Sequence, residues 1–253
     1  MHVETMIRLL AINTQKLVVT RIVHNITKMK YLSIDIETTG LDSENNQILS
    51  VGVIVEDTEK KLPFEELPKF HCAIVHNDIR GSLFALNMNK ELIEIINRWD
   101  ISNDSFRNEI EEKTGMIFCK EDEVCEHLFR FLFKQGVLES SLYDFNVNQC
   151  ITVIDGQSYP AITRVNKPSH LNIAGKNFGT FDKLFLEKLP RWKQLFKVRQ
   201  RIIDPTILFT NWNEDDQLPN LTTCKSRANT GGEVSHDAVE DAWDVIQLLR
   251  TQY

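Results

Sequence analysis

The chain has 253 residues, of which 42% are hydrophobic and 26% are charged. Such a composition fits one elaborated soluble domain, or a domain with an appendage, and can bury a sizeable core. The net charge of −7 and the pI near 5.6 argue against a protein that binds polyanions over its whole surface. These values are compatible with a local basic groove. No apolar run approaches the ~18–20 residues of a membrane span.

The first 28 residues are basic and poor in acids, since four basic residues stand against one acid, Glu4. The segment lacks the longer apolar region and the small-residue cleavage site of a secretory signal. Two interpretations stay open: an upstream-extended reading frame whose natural start is Met29, or a genuine N-terminal helix or strand. We therefore divide the chain into an N-terminal extension, residues 1–28, and one domain, residues 29–253.

Three strands are predicted at the start of the domain, at residues 31–37, 48–56 and 70–76. The second is rich in Ile and Val, and a polar, turn-rich segment joins it to the first. Successive strands with short connections favour an antiparallel meander.

Apolar side chains at helical spacing predict two helices after the meander, at residues 89–99 and 121–134. Core packing is the favoured interpretation of these apolar stripes. Phe84 and Trp99 are also candidates for stacking on nucleic-acid bases, although core packing is favoured for them too.

The second half of the domain opens with a predicted β-hairpin, because residues 150–154 and 161–165 flank a turn with Gly and Pro. This hairpin marks an insert at about residues 138–168. The later predicted elements are a strand at 171–174, a helix over 175–189, a strand at 201–208 broken by Pro205, and an amphipathic helix at 235–252 with Ser235 as its N-cap. The order βββ, helices, then β-α-β-α predicts an α/β fold with a mixed sheet.

Five cysteines are present, an odd number, and none forms a CxxC pair: Cys72, Cys119, Cys125, Cys150 and Cys224. This pattern indicates free thiols rather than a disulfide framework or a zinc site. We therefore expect a cytoplasmic protein.

The first predicted strand carries two acids, Asp35 and Glu37, among apolar residues. Strand side chains alternate between faces, so both carboxylates point the same way and lie about 7 Å apart. Burying them without a partner costs several kcal/mol each. Lysine or arginine side chains, solvation on an open face, or a divalent metal ion could each balance this charge.

Two further clusters stand later in the chain. The segment NFGTFD contains Asn177 and Asp182, and the segment HDAVED contains His236 and Asp241. Together with Asp35-x-Glu37, these clusters resemble, in order, the three exonuclease motifs of the DEDDh superfamily, which includes ribonuclease T, oligoribonuclease and proofreading subunits of bacterial polymerases. The resemblance covers nearly all of the chain beyond the N-terminal extension.

The resemblance implies a ribonuclease H-like fold, with a five-stranded mixed sheet and helices on both sides. It implies a 3′→5′ exonuclease that hydrolyses single-stranded nucleic acid to nucleoside 5′-monophosphates, with the 3′ ends of single-stranded DNA or RNA as its partners. By that likeness, two Mg²⁺ or Mn²⁺ ions bind to four acids, and His236 is the general base. The implied metal ligands are Asp35, Glu37, Asp182 and Asp241, and the implied substrate-binding residues are Thr38, Thr39, Gly40, Leu41 and Asn177.

Several alternatives stay open at this stage. A catalytically silent nucleic-acid-binding module would keep the same fold, but such a protein usually loses a metal carboxylate or the histidine. An internally cutting nuclease is not expected to carry the second and third motifs in this arrangement. DNA or RNA preference and substrate length are not indicated, and a homodimer is left open because some superfamily members are dimers.

One departure concerns spacing, since 145 positions separate Glu37 from Asp182, more than in compact members of the superfamily. The insert at about residues 138–168 accounts for this length. Residues 176–201 form a basic run that fits either phosphate contacts or a solvated face.

Overall fold

The structure is a computed structural model that describes residues 29–152, 158–231 and 235–253. The predicted N-terminal extension, residues 1–28, and residues 153–157 of the predicted hairpin lie outside the described residues. None of the described helices has the length and apolar character needed to cross a membrane.

The strands of the described residues are β1 (Lys30–Thr38), β2 (Ile48–Asp57), β3 (Lys69–Ile74), β4 (Ile117–Cys119), β5 (Tyr143–Thr152), β6 (Ser158–Val165), β7 (Ser169–Leu171), β8 (Ile173–Ala174) and β9 (Phe196–Val198). The α-helices in the same ranges are α1 (Leu83–Met88), α2 (Lys90–Ile101), α3 (Asp104–Thr114), α4 (Val124–Lys134), α5 (Asp182–Leu186), α6 (Trp192–Leu195), α7 (Leu221–Ala228) and α8 (Ala238–Arg250). Short 3-10 helices cover Phe64–Glu66, Ser140–Leu142 and Pro205–Phe209.

The central sheet has five strands in the order β4-β3-β2-β1-β8. The first three strands of the chain pair antiparallel, whereas β4 runs parallel to β3 and β8 runs parallel to β1. This arrangement confirms the predicted α/β fold, a five-stranded mixed sheet flanked by helices, and is consistent with a ribonuclease H-like fold. The predicted inserted hairpin is also present, because β5 and β6 pair antiparallel as a separate sheet.

The alternating pattern of β1 divides its side chains between two apolar layers. Ile34 and Ile36 lie in the core with residues of α4, while Tyr31 packs in a second cluster with residues of α8. Ser33 shares the second face, and its hydroxyl donates to the carbonyl of Ala242 in α8 at 2.7 Å. Because side chains alternate along a strand, Asp35 and Glu37 also face α8.

The N-terminus of α8 lies directly on β2, at Gly52. A Cβ atom at Gly52 would stand 2.3 Å from the carbonyl carbon of Ala238, so only glycine allows this approach. Gly52 pairs with Asp35 across the sheet. The close packing therefore brings the first turn of α8 beside the acidic face of β1.

Two of the predicted elements are wrong in extent. Residues 201–208 do not form a strand: a single parallel bridge joins Ile203 to Ala174, and a 3-10 helix follows. Pro205 lacks the N–H that a strand ladder needs. The helix predicted over 175–189 begins only at Asp182, because turns precede it and Asn177 has a left-handed backbone with φ of 57°.

The last helix also begins later than predicted. It starts at Ala238, and Asp237 rather than Ser235 is its N-cap. The Asp237 carboxylate accepts hydrogen bonds from the backbone N–H groups of Val239 and Glu240, each at 3.0 Å. A carboxylate at this position satisfies otherwise unpaired N–H groups and complements the helix dipole.

Candidate active site

The four acids of the three motifs come together at the C-terminal end of β1, although they are far apart in the chain. Glu37, Asp182 and Asp241 are buried, and Asp35 is partly buried between them. His236 is exposed at the edge of this group. Three elements bring the acids together: β8, α5 and the segment before α8.

Asp182 lies beside the edge of β1 that extends beyond the end of β8. The Leu32 N–H donates to the carbonyl of Asn172, and every second N–H of a strand points to the same edge. β8 ends at Ala174, so the N–H of Ile36 extends past the end of that neighbouring strand. The Asp182 carboxylate, on the first residue of α5, lies near this N–H, which lowers its pKa.

His236 and Asp241 are placed by the segment that leads into α8. His236 has a φ of 55°, a left-handed conformation that is uncommon outside glycine and that turns the chain towards the sheet. The backbone of Ser235 lies near the Asp241 carboxylate and lowers its pKa. Ligand atoms of Glu37, His236 and Asp241 all lie within 4.8 Å of one another, a spacing that could hold a metal ion.

Burial raises the pKa of all four acids of the site, and the charges of other site acids raise it further for Asp35 and Glu37. Burial, followed by the charges of Asp182 and Asp241, raises the pKa of Asp35 well above its ordinary value. Burial and the charge of Asp241 raise the pKa of Glu37 from 4.5 to about 8. Burial is also the main cause that raises the pKa of Asp182 and of Asp241 from 3.8 to about 7. Four such groups need compensating positive charge.

Protein groups supply only part of that compensation in the described residues. One oxygen of Asp241, Oδ1, is buried and has no hydrogen-bond partner within the described ranges. The buried ammonium of Lys225 lowers the pKa of Asp241, but it pairs directly with Asp244. An unpartnered carboxylate oxygen among other carboxylates is the environment that a hard divalent cation prefers.

The residues that follow β1 differ in whether their side chains are buried or exposed. Thr38 and Thr39 are buried, and their hydroxyls hold the backbone, with Thr38 donating to the Gly40 carbonyl and Thr39 accepting from the Gln47 N–H. Leu41, by contrast, is 87% exposed. The threonine side chains therefore shape this loop, and only its backbone and Leu41 are free to meet a substrate.

Asn177 has a structural role in the turn before α5. Its carbonyl accepts the N–H groups of Thr180 and Phe181, and its own N–H donates to the Asp204 carboxylate. Its side chain is exposed and lines a polar cavity of about 460 Å³.

Trp99 and Phe84 differ in their surroundings. Trp99 packs in the core and stacks on Phe118, as expected. Phe84 is 77% exposed, so the core packing that was favoured for it is wrong. It lies in α1 beside Leu83, which is 87% exposed, just after Ser82, whose N–H donates to the Thr39 carbonyl. An exposed apolar patch thus adjoins the end of β1.

Asn89 contributes to the site and was not singled out from the sequence. It is buried between α1 and α2, and its amide donates to the carbonyl of Thr38 at 3.2 Å. A hydrogen bond from its side chain also lowers the pKa of Glu37. No motif marks Asn89; a buried amide at the junction of two helices was the only local signal.

We predict that the metal-free protein loses stability as pH rises from 6.5 to 8.5. The acids have raised pKa values in the folded state, so their stabilising protonation is present at low pH and is lost as pH rises through about 7 to 8. In EDTA, the Tm should fall by on the order of 5 °C across this window.

Mg²⁺ or Mn²⁺ should reverse that loss, with a larger increase in Tm at pH 8.5 than at pH 6.5. Differential scanning fluorimetry with and without metal measures both effects. A Tm in EDTA that rises over this window, or a metal effect that is independent of pH, would contradict the assignment of a cation site to these acids.

Comparison with known proteins gives structural similarity but no match among protein families or curated proteins. No protein-family model matches the sequence, and no curated protein matches it. Among solved structures, the chain is similar to E. coli exonuclease I in complex with a dA16 oligonucleotide, at 17% sequence identity and a TM-score of 0.42. The similarity covers 88% of this chain and 41% of that one, so this chain spans less than half the length of the matched structure.

Proposed function

We propose that the protein is a metal-dependent 3′→5′ exonuclease that hydrolyses single-stranded nucleic acid to nucleoside 5′-monophosphates. The observation that carries this proposal is the meeting of four carboxylates, each with a raised pKa, with an exposed imidazole at one end of the sheet. The order of the three motifs along the chain supports the same reaction. A purely structural cluster would pair these acids with lysine or arginine.

The residues that would hold divalent cations are Asp35, Glu37, Asp182 and Asp241. Their oxygen atoms suit Mg²⁺ or Mn²⁺, and the unpartnered Oδ1 of Asp241 fits a ligand role. Two such cations, when bound, stabilise the attacking and leaving oxygens of an in-line phosphoryl displacement. The backbones of Ile36 and Ser235 lie near two of these carboxylates and favour their charged forms.

His236 is the proposed general base. Its imidazole lies within 4.8 Å of Glu37 and Asp241 ligand atoms and is open to solvent, so it can accept a proton from the attacking water and release it afterwards. Imidazole suits this role because it titrates near neutral pH. The left-handed backbone at His236 is consistent with strain held at a functional position.

The exposed apolar patch supports a single-stranded substrate. Leu41, Leu83 and Phe84 are exposed near the end of β1 that carries the acids, although core packing was expected for Phe84. Unpaired bases offer flat apolar faces, and contact with such side chains is favourable for any base. Paired bases in a duplex would not be free to meet this patch.

The test is a cleavage assay on matched single-stranded DNA and RNA oligonucleotides, labelled at either end. With Mg²⁺ or Mn²⁺, the 5′-labelled strands should shorten stepwise, and the 3′-labelled strands should release labelled mononucleotide from the start. EDTA should stop both reactions. Labelled oligonucleotides released from the 3′-labelled strands would instead indicate internal cutting, and binding without cleavage would indicate the silent module.

A further inference from the structure

Lys176 lies next to the acids because of the way β8 ends. β8 runs parallel to β1, with Ile173 opposite Leu32 and Ala174 opposite Ser33. Continuing this register past the end of the strand brings Lys176 level with Asp35. Gly175 is pressed against β1, since a Cβ atom there would lie 2.9 Å from the carbonyl oxygen of Ile34.

The charge of Lys176 affects two acids of the site, but its ammonium forms an ion pair with neither. It lowers the pKa of both Asp35 and Asp182. Within residues 29–152, 158–231 and 235–253, its ammonium nevertheless has no hydrogen bond and no ion pair within 4.0 Å. The neighbouring basic side chains are committed differently: Lys183 pairs with Glu187, and Arg191 pairs with Glu126.

The other side of Lys176 faces open space. The residue is half-buried and lines, with Asn177, the polar cavity of about 460 Å³. The same cavity is also lined by Glu214, Asp215 and Asp216, and Asp215 is paired with Arg227. An anion is therefore favoured at the Lys176 side, next to Asp35, and disfavoured beside these three acids.

The charges of the site indicate which group of a substrate Lys176 would bind. Four carboxylates and two divalent cations cancel, which leaves the single negative charge of a phosphodiester uncompensated. We propose that the Lys176 ammonium donates a charge-assisted hydrogen bond to a non-bridging oxygen of the phosphate at the reacting position. This inference rests on the proposed function and adds a residue outside the three motifs. Lysine is a cation without acceptor atoms, so it binds the phosphate and not a metal ion.

The proposed contact strengthens as the reaction proceeds. Negative charge is spread over the phosphate oxygens in the transition state of phosphoryl transfer. A positive group already in place stabilises that charge without reorganisation. Loss of the Lys176 charge should therefore lower kcat more than it raises KM.

The experiment compares the wild type with Lys176→Met, which keeps length and removes charge, and Lys176→Arg, which keeps charge. Lys60→Met is the matched control, because Lys60 is exposed and follows β2 at the end of the sheet away from the acids. Lys176→Met should lower kcat about 10²-fold, while Lys176→Arg should stay within about tenfold of the wild type. Mn²⁺ affinity without nucleic acid should be unchanged or tighter in Lys176→Met.

A binding measurement separates this inference from the proposed function. Thymidine 5′-monophosphate should bind the Mn²⁺-loaded wild type and lose affinity in Lys176→Met, whereas thymidine, which lacks the phosphate, should not discriminate between them. If the wild type binds the monophosphate through Lys176 but cleaves nothing, the phosphate contact stands and the proposed function fails. If the wild type is active and Lys176→Met behaves like Lys60→Met in both assays, the role of Lys176 is refuted. Weaker Mn²⁺ binding by Lys176→Met, or a wild type without either activity or phosphate binding, refutes it as well.

Discussion

Asp182→Asn is expected to abolish metal-dependent cleavage while making the metal-free protein more stable. The substitution keeps the shape of the side chain and removes one of four clustered negative charges. Activity should fall by about 10³-fold or more, because one of the four carboxylates that would hold the cations is lost. In EDTA at pH 8, the Tm should rise, because the pKa of Asp182 is raised to about 7 and its charged form is unfavourable in the fold.

The opposite signs of these two effects make the prediction sharp. A residue needed mainly for folding would lose activity and stability together. Asp122→Asn is the control, since Asp122 is exposed and undergoes the same chemical change. Cleavage that survives in Asp182→Asn, or a lower Tm than the wild type in EDTA, would rule out the assignment of Asp182 as a metal ligand.

His236→Ala is expected to lower kcat by about 10²- to 10⁴-fold while leaving Mn²⁺ affinity close to that of the wild type. The imidazole is exposed and is assigned to proton transfer, so its removal takes away the base but no carboxylate ligand. Added imidazole should restore part of the activity.

The geometry allows one rival role, which the same variant tests. Ligand atoms of His236, Glu37 and Asp241 lie close enough to share one cation. If His236 is a ligand, His236→Ala should weaken Mn²⁺ binding strongly in isothermal titration calorimetry, and imidazole rescue should require higher metal concentration. His170→Ala serves as the control, because His170 is exposed in β7.

Local pattern was sufficient for the elements whose side chains repeat regularly. Alternation in β1 predicts that Asp35 and Glu37 face away from Ile34 and Ile36, and the two apolar layers on β1 confirm it. Helical spacing likewise predicts α2 and α4, and the turn with Gly and Pro predicts the hairpin. These elements can be predicted from the sequence because a period of two or of 3.6 residues determines which face is buried.

Local sequence pattern gave wrong predictions where contacts between residues distant in the chain determine the structure. Ser235 and Asp237 are both good N-cap residues, and the approach of Ala238 to Gly52 is what places the start of α8 at Asp237. Phe84 lies in a short helix that ends at Met88, so the helical stripe that begins at α2 does not extend to it. Asn89 separates this helix from α2, and its side chain donates a buried hydrogen bond to the Thr38 carbonyl.

The residue types of the candidate site and their order were readable from the sequence, because hard cations and proton transfer require carboxylates and imidazole wherever the chain places them. Their separation in space was not readable, since Glu37 and Asp182 stand 145 positions apart. The order of strands in the sheet, the end of β8 and the packing of α8 on Gly52 decide that distance. Electrostatic interaction depends on distance and on burial, so the raised pKa values, the uncommitted charge of Lys176 and the support from Asn89 appear only in the tertiary structure.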